Sequence, residues 1–301
     1  MRFSFWVNSV SKPALIFDEA KFAADLGFTG LWAADHFMPN EPEPADGPIH
    51  ECFTLLAALA VAVPKLRIGS IVAGNTYRNP AVLAKMATTI DQISGGRMVL
   101  GIGAGWQQNE HDAYGLRYGT FGERFDRLEE ACRIITSMFS QHRTTEVGTH
   151  YQVTNAPCDP KPVQSPLPLL IGGGGEKRTL DLVARFAQEW NVWGTPELLA
   201  AKGKVLDAHC ERVGRDPLSI HRTVATMLII NGDSAKLEKF RGMELPRPTM
   251  VGTPNEIVEQ VRAFEAAGVN EIIIPSFSFT SPQLRERSLT MFAETVMPLF
   301  R

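Results

Sequence analysis

The 301-residue chain carries little that would set it apart from an ordinary globular enzyme. It has no strong charge of either sign: 30 Lys and Arg against 33 Asp and Glu leave a net −3. With both signs interspersed, no basic face is offered to nucleic acid or to an anionic membrane. No apolar run approaches the ~20 residues that cross a bilayer. The opening MRFSFWV has neither a long apolar core nor a small-residue cleavage site, so it reads as a short strand and not as a signal peptide. Cysteine is scarce. Cys52, Cys132, Cys158 and Cys210 stand apart, without a CxxC pair or zinc-finger spacing, which points to reduced thiols in the cytoplasm and to no metal centre.

Several reactive motifs are missing as well. A barrel metal hydrolase would want HxH at the end of its first strand, and this chain has Phe3-Ser4-Phe5. No lysine sits inside the later strands to form a Schiff base, and there is neither a GxSxG elbow nor a GxxxxGKS loop. Gly101-Ile102-Gly103-Ala104-Gly105 mimics part of a dinucleotide fingerprint, but no helix follows it directly.

What is present is a regular alternation of strands and helices. Leu66 to Trp106 reads as strand, loop, helix, turn, strand: Arg67 to Ala73 is apolar and β-branched, and Pro80 opens a helix. Leu83, Met86, Ala87 and Ile90 make its apolar stripe, Ser94-Gly95-Gly96 ends it, and Met98 to Ile102 is a second buried strand. Further strands are expected at Arg2–Val7, Gly30–Ala34, Leu167–Ile171, Glu189–Trp193, Ile220–Ile230 and Glu271–Ser276, separated by helices, one of them over 177–187. Eight βα repeats in a chain of this length predict an α/β protein, a (β/α)8 TIM barrel forming one domain over 1–301, with an inserted hairpin at about 144–168. Loops at the C-terminal ends of the strands build the active sites of such barrels, so Phe37–His50 and Gln107–Gly119 should wall the pocket.

Three segments carry candidate chemistry. His36, beside Asp35 at a strand's end, can reach the barrel mouth and move a proton near neutral pH. Gly172 to Gly175 follow a buried strand and open toward a helix, so that bare N–H groups at Gly173, Gly174 and Gly175 can wrap an anion, with Lys177 or Arg178 supplying charge. Gly103-Ala104-Gly105 lets a flat ligand approach the backbone. Glu110-His111, by contrast, reads as a solvated loop pair, and the remaining histidines as structural.

YRNPAVLAK with SGGRMVLGIGAGW, together with Ala34-Asp35-His36-Phe37, the four glycines and Gly252-Thr253-Pro254, resembles the luciferase-like superfamily of flavin- and deazaflavin-dependent oxidoreductases over nearly the whole chain. The resemblance implies hydride exchange between deazaflavin coenzyme F420 and a small organic substrate, with an FMN-dependent monooxygenase or a non-catalytic cofactor-binding protein as alternatives, and a homodimer through the second and third helices. It implies catalysis by His36, a ring-side contact from Asp35, and a cofactor phosphate on the glycine loop. It further implies a non-proline cis peptide and a bulge within Ser70, Ile71, Val72 and Ala73, supporting one face of the ring, with Phe5, Trp6, Ala104, Gly105 and Trp106 completing its site. Sugar-phosphate dehydrogenases of the family carry a catalytic glutamate where this chain has Trp106, which implies a more apolar or aromatic substrate.

Overall fold

A computed structural model describes residues 1–39 and 46–300. Its first strands are β1 (Arg2–Trp6), β2 (Gly30–Ala33), β3 (Arg67–Ser70), β4 (Ala73–Gly74) and β5 (Met98–Gly103). The expected hairpin follows, β6 (Arg143–Val147) antiparallel to β7 (Gln152–Pro157). The sheet resumes with β8 (Leu169–Gly172), β9 (Glu189–Trp193) and β10 (His221–Ala225); β11 (Met227–Ile230) and β12 (Thr249–Gly252) stand apart, and β13 (Glu271–Pro275) completes it. The central sheet runs β3-β2-β1-β13-β10-β9-β8-β5-β4 and closes through an added β3–β5 pairing. Because β3 and β4 are halves of one stave interrupted at Ile71-Val72, these nine strands make a closed parallel barrel of eight.

Parallel barrel strands are covered on both faces, which is why EIIIP in β13 and MVLGIG in β5 are buried throughout. Trp32, Val99, Leu170 and Ile273 from β2, β5, β8 and β13 pack together with Ile71 as a second buried cluster, apart from the main core. Outward residues meet the helical ring, as where Phe3 packs edge-on against Phe292 at 5.2 Å.

The helices are α1 (Pro13–Asp25), α2 (Cys52–Ala62), α3 (Pro80–Ser94), α4 (Gln108–Ala113), α5 (Phe121–Ser140), α6 (Thr179–Phe186), α7 (Pro196–Arg212), α8 (Pro254–Ala266) and α9 (Pro282–Thr295). Their ends follow the local chemistry. Asn79 caps α3 by accepting from the Ala81 N–H at 2.9 Å, and Gly95, at φ +67°, ends it. Thr120 and Glu123 form a capping box at α5. Among the described residues no helix is long and apolar enough to cross a membrane.

The N-terminal end of the barrel is shut by charge. Glu271 and Glu189 face Arg2 and Arg67, with His221 and the Trp32 indole N–H also on Glu271. Burial opposes ionisation of Glu271, but His221, Arg67 and Arg2 outweigh it and hold the carboxyl at about 2. This contribution to stability is full above the ordinary carboxylate range and is lost as pH falls toward that value. Glu189, His221 and Glu271 lie close enough to ligate a cation, yet two guanidiniums already balance the two carboxylates.

Two expectations change, and a third falls partly outside the described residues. The strand read over Ile220–Ile230 breaks at Thr226, where Pro248 O takes the Met227 N–H at 2.9 Å and the Thr226 hydroxyl at 3.2 Å. β11 thereby leaves the barrel and pairs in parallel with β12, which sequence reading missed. The helix expected from Lys177 starts at Thr179, because the glycine loop continues as a turn through 176–178. Of the long loop expected to wall the pocket over 37–50, residues 40–45 lie outside the described residues.

Candidate active site

The C-terminal ends of the strands open into a cavity of about 930 Å³. Two unlike walls enclose it.

The first wall is backbone. β3 and β4 are separated by a cis Ile71-Val72 peptide, inside the segment where the bulge was expected. The Val72 side chain is seated between glycines: a Cβ on Gly103 or Gly172 would come within 2.9 or 2.8 Å of its methyls, too close for any larger residue. Ser70 stitches the interrupted stave to β5, its hydroxyl donating to Gly101 O at 2.8 Å and accepting from Gly101 N–H at 3.1 Å. Ile71, Val72, Ala73, Ala104 and Gly105 line the cavity as expected, and so do Gly173, Gly174 and Gly175 beyond β8. Ser70 does not, since its side chain is spent within the wall.

Asp35 and His36 follow β2 and both line the cavity. Asp35 is buried and committed: Arg78 donates to both its oxygens at 2.7 and 2.9 Å, and Gly74 N–H donates at 3.1 Å. Burial pushes its carboxyl up, and these donors oppose the rise. The carboxylate thus braces β4 against the bulge.

His36 Nδ1 lies 2.8 Å from Glu110 Oε1, while Glu110 Oε2 accepts the Phe37 N–H at 2.8 Å and the Tyr77 hydroxyl donates to Oε1. Glu110 is fully buried. Burial disfavours its charge, but the donors from His36, Phe37 and Tyr77 prevail and hold its carboxyl below the ordinary range. An ionised carboxylate only accepts, so Nδ1 carries the proton and Nε2 is the ring nitrogen left without a partner among the described residues. The Trp106 ring stands edge-on to His36 at 5.5 Å.

The reading of Glu110-His111 as a solvated pair is therefore corrected. Residues 107–119 are not an open loop: α4 folds back beneath His36, with Gln107 holding Met38 O at 2.9 Å and Asn109 holding Pro39 O at 3.1 Å. His111 is equally buried, its Nδ1 on Gln107 O and its Nε2 on the Thr76 hydroxyl, each at 2.6 Å. A six-residue helix offers too little periodicity to be seen in sequence.

Charge at the cavity also differs from expectation. Lys177 is exposed and outside the lining, and Arg178 pairs with Asp126 at 2.6 Å. The guanidinium at the backbone wall is Arg124, nearly buried, bonded to Gly105 O at 3.1 Å and Gly119 O at 3.0 Å, and stacked 4.0 Å from the Tyr118 ring centroid. Among the described residues no carboxylate pairs with it. Its signal was available: the Thr120–Glu123 capping box puts Arg124 in the first turn of α5, at the mouth.

The second wall is made of side chains: Trp6, Trp193 and Phe277, with Trp106 beside His36 and Arg247 at the rim. Phe5, expected at the ring site, is instead buried in the core between barrel and helices.

The profile of the family described as luciferase-like monooxygenase matches residues 2–245. An F420-dependent glucose-6-phosphate dehydrogenase of Microbacterium testaceum is 31% identical, over 100% of this chain and 98% of its own. The FMNH2-dependent dimethylsulfone monooxygenase of Pseudomonas putida is 25% identical over 84% of this chain and 79% of its own. Among solved structures, an F420-dependent secondary alcohol dehydrogenase superposes with a TM-score of 0.86 at 20% identity, covering 100% of this chain and 99% of that one, a likeness of fold.

Proposed function

This chain belongs to the luciferase-like monooxygenase family, and we propose that it is an F420-dependent oxidoreductase exchanging hydride between the deazaflavin and a small organic substrate. The observation that carries the reading is the pairing, across one cavity, of a bare backbone wall with a histidine whose free nitrogen is fixed by a buried carboxylate.

The residues present fit the cofactor. Glycines around Val72 leave the Ile71–Gly74 and Gly103–Gly105 backbone bare for a flat ring, and Gly174 and Gly175 offer N–H groups to a phosphate, whereas the Gly173 N–H, expected to join them, is spent on Asn191 O at 2.8 Å. Arg124 is the counter-charge already in place, with no carboxylate partner among the described residues. When bound, F420 supplies the two-electron chemistry. His36 Nε2 holds or takes the proton that accompanies hydride at the substrate oxygen. Glu110 acts through it as a positioning residue, fixing the tautomer and steadying the charge that develops on the ring. Asp35 and Ser70 act through the backbone wall they brace.

Trp106, where sugar-phosphate dehydrogenases carry a glutamate, favours a substrate other than a sugar phosphate; oxidation of glucose 6-phosphate stays with the relatives. The apolar groove between α2, α3 and β7, lined by Phe53, Val82, Met86 and Ile90, supports a homodimer through this face, to be checked by sedimentation. The four cysteines are free and buried, in keeping with a cytoplasmic protein. Anaerobic titration with F420 and with FMN, followed by fluorescence, tests the central reading. F420 is expected to bind at least about tenfold tighter, a difference of about 1.4 kcal/mol. Tighter FMN binding, with oxygen uptake on reduction, would overturn it in favour of a monooxygenase.

A further inference from the structure

We propose that the wall facing the glycines is a recognition site for a planar aromatic substrate bearing a carboxylate, with Arg247 as its anchor; the inference rests on the oxidoreductase reading only in calling that ligand a substrate. Three of the chain's five tryptophans line the cavity. Trp6 and Trp193 stand 5.8 Å apart, and Phe277 closes on them at 5.3 and 6.3 Å, so the three rings form one continuous surface. None is fully buried, and Phe277 is 40% exposed. Aromatic area left uncovered inside a concave site favours a flat, polarizable partner.

Arg247 makes the surface selective. Its guanidinium carbon lies 4.7 Å from the Trp193 ring centroid, at the edge of the aromatic patch. The backbone beside it is anchored, because the next residue, Pro248, takes hydrogen bonds from both Met227 and Thr226. Among the described residues the guanidinium has no carboxylate partner. The acidic lining is Asp35, already neutralised by Arg78. A chain that is net negative thus presents to one cavity two cations that have no acidic partner among the described residues. Arg124 sits on α5 and bonds to Gly105 O at the backbone wall, where a cofactor phosphate belongs, while Arg247 stacks on a ring of the opposite wall. A guanidinium stacked on indole keeps its N–H edge free to take a carboxylate in two parallel bonds.

The test is calorimetry on F420-loaded and cofactor-free protein with naphthalene-2-carboxylate and its neutral isostere naphthalene-2-carboxamide, for the parent, Arg247→Gln and Phe277→Ala. The parent should bind the carboxylate about tenfold tighter than the amide. Arg247→Gln should abolish that preference with F420 affinity unchanged, and Phe277→Ala should weaken both probes by a similar factor. Equal binding of the probes by the parent, or a preference that survives in Arg247→Gln, overturns the proposal. So does a loss of F420 affinity in Arg247→Gln with probe binding intact, which hands the arginine to the cofactor's own acidic tail. Failure of F420 to bind, with the preference for carboxylate retained and dependent on Arg247, leaves this site standing and removes the F420 reading alone.

Discussion

One cavity has two walls built on opposite principles. The wall of β3, β4, β5 and β8 is poor in polar side chains: glycines and the small or aliphatic Ile71, Val72, Ala73 and Ala104 line it, so that it meets a ligand largely through main chain. The wall of β1, β9 and β13 is made of side chains, Trp6, Trp193, Phe277 and Arg247, standing on unremarkable strands and loops. Backbone is the same in every protein, so a main-chain wall recognises a partner by shape and phosphate, which suits a cofactor shared by many enzymes. A side-chain wall can be rewritten residue by residue without disturbing the barrel, which suits a substrate that differs among relatives.

The same contrast explains what was legible. A backbone wall needs glycines in contiguous runs, so SGGRMVLGIGAGW and IGGGG announced it, and the bulge at Ile71-Val72 fell within the expected residues. The alternation of strands and helices similarly disclosed the barrel, because burial on both faces leaves unbroken apolar runs. Of the side-chain wall only Trp6 was placed at the site by resemblance; residues 193, 247 and 277 share no spacing with it and meet it only because the barrel closes. Glu110 was misread for a related reason. A short helix folded back across the mouth turns an acidic loop residue into a buried acceptor, and nothing local marks that return. Lys177 was misread conversely: its position beside the glycines is near in sequence but outside the cavity in space.

Between the walls stands His36, and removing it should have the largest effect. His36→Ala is expected to slow single-turnover hydride transfer by about 10²–10⁴-fold, with F420 affinity nearly unchanged. Transfer at the parent rate would leave the barrel and both walls intact but take the proton-handling role from this residue. If the histidine merely orders its loop, stability and substrate affinity should fall instead.

Glu110→Gln comes next. The replacement keeps size but offers one acceptor oxygen where His36, Phe37 and Tyr77 bring three donors. The chemical step should slow by ~10–100-fold, the range seen when a carboxylate orienting a histidine is lost elsewhere. A positioning role predicts a fall in kcat with little change in KM or in cofactor affinity. A uniform loss through instability would show in the melting temperature and in every constant together. The lowered carboxyl of Glu110 adds a pH signature: its stabilisation is full above the ordinary carboxylate range and lost as pH falls below it. The Gln variant should lack that part of the parent's acid sensitivity.

The glycine wall itself is probed by Gly174→Asp. A Cβ at this position would stand 3.3 Å from a Val192 methyl, which must give by a few tenths of an ångström, and 3.9 Å from Lys202, so a melting curve accompanies the variant. The added carboxylate would occupy and repel the anion position, and F420 affinity should drop at least about tenfold, or 1.4 kcal/mol. A folded variant with unchanged affinity would move the phosphate away from this loop. Substrate probes on the aromatic wall should be indifferent to the change, which is what separates the two walls experimentally.

The smallest expected effect sharpens the comparison most. Lys177 and Arg124 are both cations near the glycine loop, and on sequence proximity Lys177 is the better candidate. In space the order reverses. Arg124 is nearly buried at the lining, and its bonds run to carbonyl oxygens, so its charge is uncompensated by any described carboxylate. Lys177 is exposed and screened by solvent, where a charge contributes only about 0–1 kcal/mol to a neighbour. Lys177→Ala should therefore change the F420 dissociation constant less than about twofold at physiological salt, while Arg124→Gln should raise it by about tenfold. Thermal melts accompany both, since Arg124 also ties α5 to Gly105 O and its loss must be separated from unfolding. Equal effects of the two substitutions would mean that the anion is held by diffuse surface charge. The reverse order would mean that the loop turns outward on binding and that its N–H groups do not face the cavity when F420 is present.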